Sequence, residues 1–145
     1  MSILPAHISL ITLGVADVAK ATAFYEQLGF VRSKKASQES VSFFQAGPLV
    51  LALWSRTEQR DDAQAAELWT GNGGIVVAQN VASEDAVDVM IARAEAAGAR
   101  ILKPAAKTFW GGYDGYFADP DGHVWEVAFN PFWELDEVGR VRLPE

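Results

Sequence analysis

The chain has 145 residues, half of them apolar and 21% charged, a balance that excludes disorder and fits one domain or two small modules sharing a core. Twelve Lys and Arg stand against nineteen Asp and Glu, giving a net charge of −7 with no basic cluster, so nucleic acid and anionic membrane are poor partners on electrostatic grounds. The absence of cysteine removes disulfides, thiolate metal sites and cysteine nucleophiles.

The first residues, Met1 to His7, carry no basic region and no long apolar run, so no signal peptide is expected. No stretch approaches the ~20 apolar residues of a membrane span, and a cytoplasmic protein is expected. Ile8–Val15 is apolar and β-branched and reads as a strand buried on both faces. Asp17 is an N-cap for a helix over Val18–Leu28, with Ala21, Phe24, Tyr25 and Leu28 on one stripe and Gly29 just past its end. Three strands follow, at Phe30–Lys34, Ser40–Gln45 and Leu49–Trp54. Arg56–Asn72 is a polar surface connection with a short helix at Ala63–Leu68. Ile75–Val81 is the next strand. Ser83 caps a helix over Ala86–Ala97 that Gly98 closes, and Ala99–Lys103 is a strand.

Residues 108–131 carry the strongest local signal. Tyr113–Ala118 and His123–Phe129 read as a hairpin around Asp119-Pro120-Asp121-Gly122, where Pro120 presets φ, Asp119 can bond its own backbone and Gly122 supplies a positive φ. Glu126 sits inside the second strand among Val124, Trp125, Val127 and Ala128. A buried unpaired carboxylate is costly, so Glu126 is solvated, pairs with a cation, or points into a site. Phe132–Glu145 is a tail whose aromatic start, Phe132 and Trp133, packs across the domain or a partner surface.

The order strand–helix–three strands occurs twice. Val15-Ala16-Asp17 aligns with Val81-Ala82-Ser83, and Gly29 with Gly98. This predicts an α+β fold of two βαβββ modules, about 7–56 and 73–131, joined by a linker at about 57–72 and followed by the tail at 132–145. Neither module buries both sheet faces alone. Side by side they make a curved mixed sheet with helices on the convex face and a concave cavity.

Four motifs carry a resemblance: Ile11-Thr12-Leu13-Gly14-Val15-Ala16-Asp17, Phe24-Tyr25-Glu26-Gln27-Leu28-Gly29-Phe30, Ala96-Ala97-Gly98-Ala99, and Asp119-Pro120-Asp121-Gly122-His123-Val124-Trp125-Glu126-Val127. The pattern resembles the vicinal oxygen chelate superfamily, which holds glyoxalase I, extradiol dioxygenases, and bleomycin- and fosfomycin-resistance proteins. The Phe109 to Tyr113 and Asn130 to Trp133 runs look like a glyoxalase-like subgroup of unassigned function. The resemblance implies a metal ligand on the first strand of each module and one on the last. Carried over, these fall on Leu10, at or near Ala52, on Val76 and on Glu126. Leu10 and Val76 cannot bind a metal, and Glu126 with water would hold a divalent ion only weakly. His7 and His123 each lie three residues from a ligand position, on the opposite strand face. No metal ligand set and no cofactor is therefore expected, a divalent ion being disfavoured.

The resemblance further implies a concave surface lined by Leu10, Thr12, Val50, Ala52, Trp54, Val76, Ala78, Asn80 and Glu126, with Trp54, Trp110 and Tyr113 near its mouth. Three readings follow. One is metal-free binding of a small, partly aromatic ligand, as in bleomycin-resistance members. The second is a lyase, isomerase or dioxygenase-type enzyme using Glu126 as base with an ion recruited alongside substrate. The third is a structural or partner-binding module with a filled cavity. The first leads, and a homodimer is expected from the resemblance.

Overall fold

The computed structural model describes residues 6–65 and 74–144. β1 (Leu10–Val15) turns into α1 (Val18–Gln27), where the Asp17 carboxylate accepts from the Lys20 amide at 3.0 Å and Gly29 takes φ 104° past the end. β2 (Val41–Ala46), β3 (Leu49–Ser55) and α2 (Arg56–Asp62) complete the first half. The second half runs β4 (Val77–Asn80), α3 (Glu84–Ala96), β5 (Arg100–Lys107), β6 (Tyr113–Ala118) and β7 (Val124–Phe129). Ser83 caps α3 through the Ala86 amide at 3.1 Å. A small hairpin, β8 (Glu134–Leu135) with β9 (Val141–Arg142), closes the chain.

The two halves share the parallel pairing of first and last strand, but the first sheet has three strands and the second four. In the first sheet the order is β1-β3-β2, with β1 parallel to β3. In the second it is β4-β7-β6-β5, with β4 parallel to β7. Each module thus leaves its first strand as an edge and pairs it with its last.

One core serves both modules. Tyr25 of α1 meets Phe30 and Phe44 of its own module at 5.9 and 6.5 Å between ring centroids, and Trp125 of β7 at 5.8 Å. Phe24 reaches Phe117 at 6.4 Å, and Phe117 stacks on Trp125 at 6.1 Å. Strand alternation does the rest. Leu13, Val15, Leu51 and Leu53 face this core from the first sheet, and Phe117, Trp125 and Val127 from the second. The remaining face of each sheet points away from it.

The Asp119–Gly122 turn clasps the modules together. The Asp119 carboxylate accepts the Asp121 and His123 amides on Oδ1 and the Tyr25 hydroxyl on Oδ2. The Ala16 amide donates to Asp121 Oδ1 at 2.8 Å, and His123 Nε2 lies 2.7 Å from the Gly14 carbonyl oxygen. Gly122, at φ 89°, closes the turn.

Four expectations need correction. β1 is an edge strand open on one face, with Leu10 45% exposed, because its Leu10–Thr12 side lies away from the core. Phe30–Lys34 forms no strand: only Arg32 bridges to Phe44, its side chain bonding Ser42 Oγ and the Gln38 carbonyl, while Val31 is exposed. The linker helix begins at Arg56 rather than Ala63, because Ser55 and Glu58 supply the cap signal, Ser55 Oγ accepting from the Glu58 amide. Residues 66–68 of the predicted helix lie outside the described residues. Finally, β5 continues past Lys103 to Lys107. Its pairing with β6 slips by one residue between Ile101 and Lys103, and again between Lys103 and Ala106, two bulge-like irregularities flanking Lys103.

Candidate functional site

The open face of the first sheet is built by register. Leu10 pairs Val50, Thr12 pairs Ala52, Gly14 pairs Trp54, and Phe43 sits across from Ala52. Together Leu10, Thr12, Phe43, Ala52 and Trp54 floor a cavity of about 780 Å³ with Glu58, Asp61 and Asp62 at its edge. Trp54 Nε1 donates to Glu58 Oε2 at 2.9 Å, which holds the indole at the rim. Such a floor, apolar and aromatic with few polar groups, suits a flat small molecule.

The open face of the second sheet is polar. A cross-strand row runs Ala78, Glu126, Tyr116, Lys103, and Asp114 stands beside it on the same face. The Lys103 ammonium pairs with the Asp114 carboxylate, which is 3% exposed. Glu126 stands directly across from Tyr116, and Asp114 is a near neighbour of its carboxyl group on the same face. Burial, then the Asp114 carboxyl beside it, pushes the Glu126 carboxyl up to about 7, with Tyr116 and Lys103 opposing. Burial and the charge of Glu126 raise Tyr116.

The residues singled out from sequence divide between several places. Leu10, Thr12 and Trp54 meet in the first-sheet cavity. Glu126 lies on the other sheet, and each open face points away from the common core, so one chain does not bring these groups together. Asn80 lines a different cavity, of about 570 Å³, between the modules, where Phe30, Leu51, Val77 and Trp125 meet the C-terminal hairpin at Val138–Val141. Val76 precedes β4 and is 45% exposed. Trp110 folds over Gly112, and Tyr113 donates from its hydroxyl to Asp88 Oδ1 of α3 at 2.7 Å, on the helix side of the sheet. Lys103, Asp114 and Tyr116 escaped the sequence reading. Counting outward from the turn would have found two of them, since Ala118 opposite Val124 puts Tyr116 opposite Glu126 and Asp114 two residues on. Lys103 had no such signal, because the slip in β5 moves it.

The divalent ion that the resemblance implies does not fit these residues. Three of the four ligand positions, Leu10, Ala52 and Val76, are hydrocarbon. Among the described residues no three His, Cys, Asp or Glu side chains come together in a group that could hold a metal ion. The fourth position, Glu126, supplies a single carboxylate.

A family model described as Glyoxalase/Bleomycin resistance protein/Dioxygenase superfamily matches residues 6–127. Among solved structures, a glyoxalase-related enzyme from Fulvimarina pelagi is 35% identical, with 96% of this chain and 99% of that one covered and a TM-score of 0.88. Lactoylglutathione lyase from Agrobacterium tumefaciens is 26% identical, covering 90% and 98%, at 0.67. The fosfomycin resistance protein FosX from Listeria monocytogenes is 25% identical, covering 88% and 95%, at 0.66. No match was found among functionally curated proteins. The shared topology, the paired modules and the turn with its Trp125-Glu126 strand all agree with the match, and the chain belongs to the glyoxalase/bleomycin resistance protein/dioxygenase superfamily.

Proposed function

We propose that the protein binds a small, partly aromatic ligand without a metal, on the open face of the first sheet. The observation that carries this is the cavity of about 780 Å³ floored by Leu10, Phe43, Ala52 and Trp54, two of which, Leu10 and Ala52, stand where the resemblance implies metal ligands and present hydrocarbon instead. A ligand there gains apolar burial and ring stacking, with Thr12 as a local hydrogen-bonding group.

Each chain offers an apolar half-site on one sheet and a polar half-site on the other. The edges β1 and β4 are unpaired on their outer sides. A second copy that sets its Glu126 face against the first copy's Leu10–Trp54 face would complete one enclosed site, and a homodimer would hold two. A lyase- or isomerase-type reaction is the second reading. It is favoured by a Glu126 carboxyl poised near neutrality, the range in which a general base works best.

The test is a panel of flat aromatics (indole, quinoline, naphthalene) followed by Trp quenching and thermal shift. Saturable binding that weakens in Trp54→Ala supports the binding reading. Binding unaffected by Trp54→Ala, or none, overturns it. Turnover of a carbonyl compound that vanishes in Glu126→Gln would move the second reading to first place.

A further inference from the structure

The pairing slip in β5 has a chemical result. With an unbroken register, Ile101 opposite Phe117 would put Lys103 opposite Gly115. That is the helix face, where Ile91 Cδ1 of α3 would lie only 3.0 Å from a Cβ placed on Gly115. The extra residue moves Lys103 opposite Tyr116 and turns it onto the face of Asp114 and Glu126. An ammonium is thus delivered to a face that carries two neighbouring carboxyl groups, and it pairs with the almost fully buried one, Asp114.

We propose that Lys103 is the resident cation of this face: its ammonium holds the Asp114–Glu126 pair in the place a divalent ion would take, and presents its remaining N–H bonds to a carbonyl oxygen of the ligand. The second half rests on the binding reading above; the first does not.

Two neighbouring carboxyl groups on one face draw a cation. Lys103 fills that need from within the chain, with Asp114 as its ion-pair partner. The ammonium lies 5.9 Å from the Tyr116 ring centroid and its side chain remains 44% exposed. An ammonium has three N–H donors, and the pair with Asp114 uses one of them, which leaves capacity for a further acceptor. The partner it suits is a neutral oxygen acceptor. The carboxyl pair already balances the ammonium, and a chain of net charge −7 repels an anion. The ligand class is therefore an aromatic ketone, aldehyde or amide.

The experiment offers Mn²⁺ and Ni²⁺ to the wild-type chain and to Lys103→Met, Lys103→Arg and the double variant Lys103→Met/Glu126→Gln, with metal content after dialysis and thermal shift as readouts. Lys103→Met is expected to retain more metal than the wild type, Lys103→Arg to behave as wild type, and the double variant to lose that gain. Stoichiometric metal in the wild type, or no gain in a folded Lys103→Met, overturns the proposal. Should Lys103→Met fail to fold, Lys103→Gln takes its place. If neither folds, rescue of refolding by Mn²⁺ supports the proposal and its failure overturns it. The ligand half is read with acetophenone and ethylbenzene, matched in shape. The wild type should favour acetophenone and Lys103→Met should not; equal affinity in the wild type overturns this half. Binding of neither probe removes the ligand half and counts against the binding reading, while the metal readout still decides whether Lys103 stands in for an ion.

Discussion

The Tyr25 hydroxyl of the first module donates to Asp119 Oδ2 of the second at 2.6 Å, and accepts from Trp125 Nε1 at 3.1 Å. All three side chains are buried. The link joins α1 to the Asp119–Gly122 turn, so that turn helps to dock the two modules. Tyr25→Phe strips a partner from both Asp119 and Trp125. It should cost about 1–3 kcal/mol, since two buried polar groups lose a partner while ring packing is kept. Urea denaturation of the variant checks the figure, and a change below the error of the fit would show that the link contributes nothing.

Stability should fall as pH rises toward neutrality. The folded Glu126 carboxyl titrates near 7 against a reference of 4.5, and burial raises Asp119 in the same direction. Between those values the folded chain binds more protons than the unfolded one, so the contribution of Glu126 is complete below about 4.5 and is lost as pH climbs through 7. Glu126→Gln should flatten that part of the profile. Melting temperatures at half-unit steps from pH 4.5 to 8 would show it, and equal slopes in both proteins would refute the assignment.

Gly112 is held small by Trp110. A Cβ placed there would lie 1.9 Å from the indole and 2.6 Å from the Phe129 carbonyl oxygen. Gly112→Ala must expel the indole or shift β7, and a cost of about 1–3 kcal/mol is expected. Displacement of Trp110 into water would red-shift the fluorescence. An unchanged spectrum with unchanged stability would contradict the packing.

The half-site arrangement predicts a dimer by light scattering. Leu10→Lys places a charge on the open face of β1, where Leu10 is already 45% exposed, so folding should survive while association weakens tenfold or more. A folded monomer with lost aromatic binding is the expected outcome. A variant that stays dimeric and binds as before would separate the cavity from the dimer interface.

The helices were legible because their punctuation is local: Asp17 and Ser83 accept the cap hydrogen bonds, and Gly29 and Gly98 take positive φ where the helices end. The hairpin was legible for the same reason. The doubled strand order held in part: both modules pair their first and last strands in parallel, but three strands follow the helix only in the second, because Phe30–Lys34 forms no strand. What escaped depends on contacts far apart in sequence. Tyr113 was grouped with the cavity by its aromatic character, yet strand parity turns it to Asp88 on α3. The assumption of one cavity ignored that Tyr25 and Trp125 join the modules through their core faces, which sends the open faces apart. The one local signal for Ser55 rather than Ala63 as the helix start is the Ser55–Glu58 spacing, in which the Glu58 amide donates to Ser55 Oγ.

The slip between Ile101 and Lys103 carries a lesson for comparing relatives of this protein. In a strand, one added or lost residue exchanges the two sides, so side-chain chemistry at this face can be gained or lost by a single-codon length change with every other amino acid retained. A residue-by-residue alignment would then score two chains as alike at Lys103 while one points its ammonium at the carboxyl pair and the other into the helix layer. For this strand, loop and strand lengths are a better guide to kinship of function than the letters in the column.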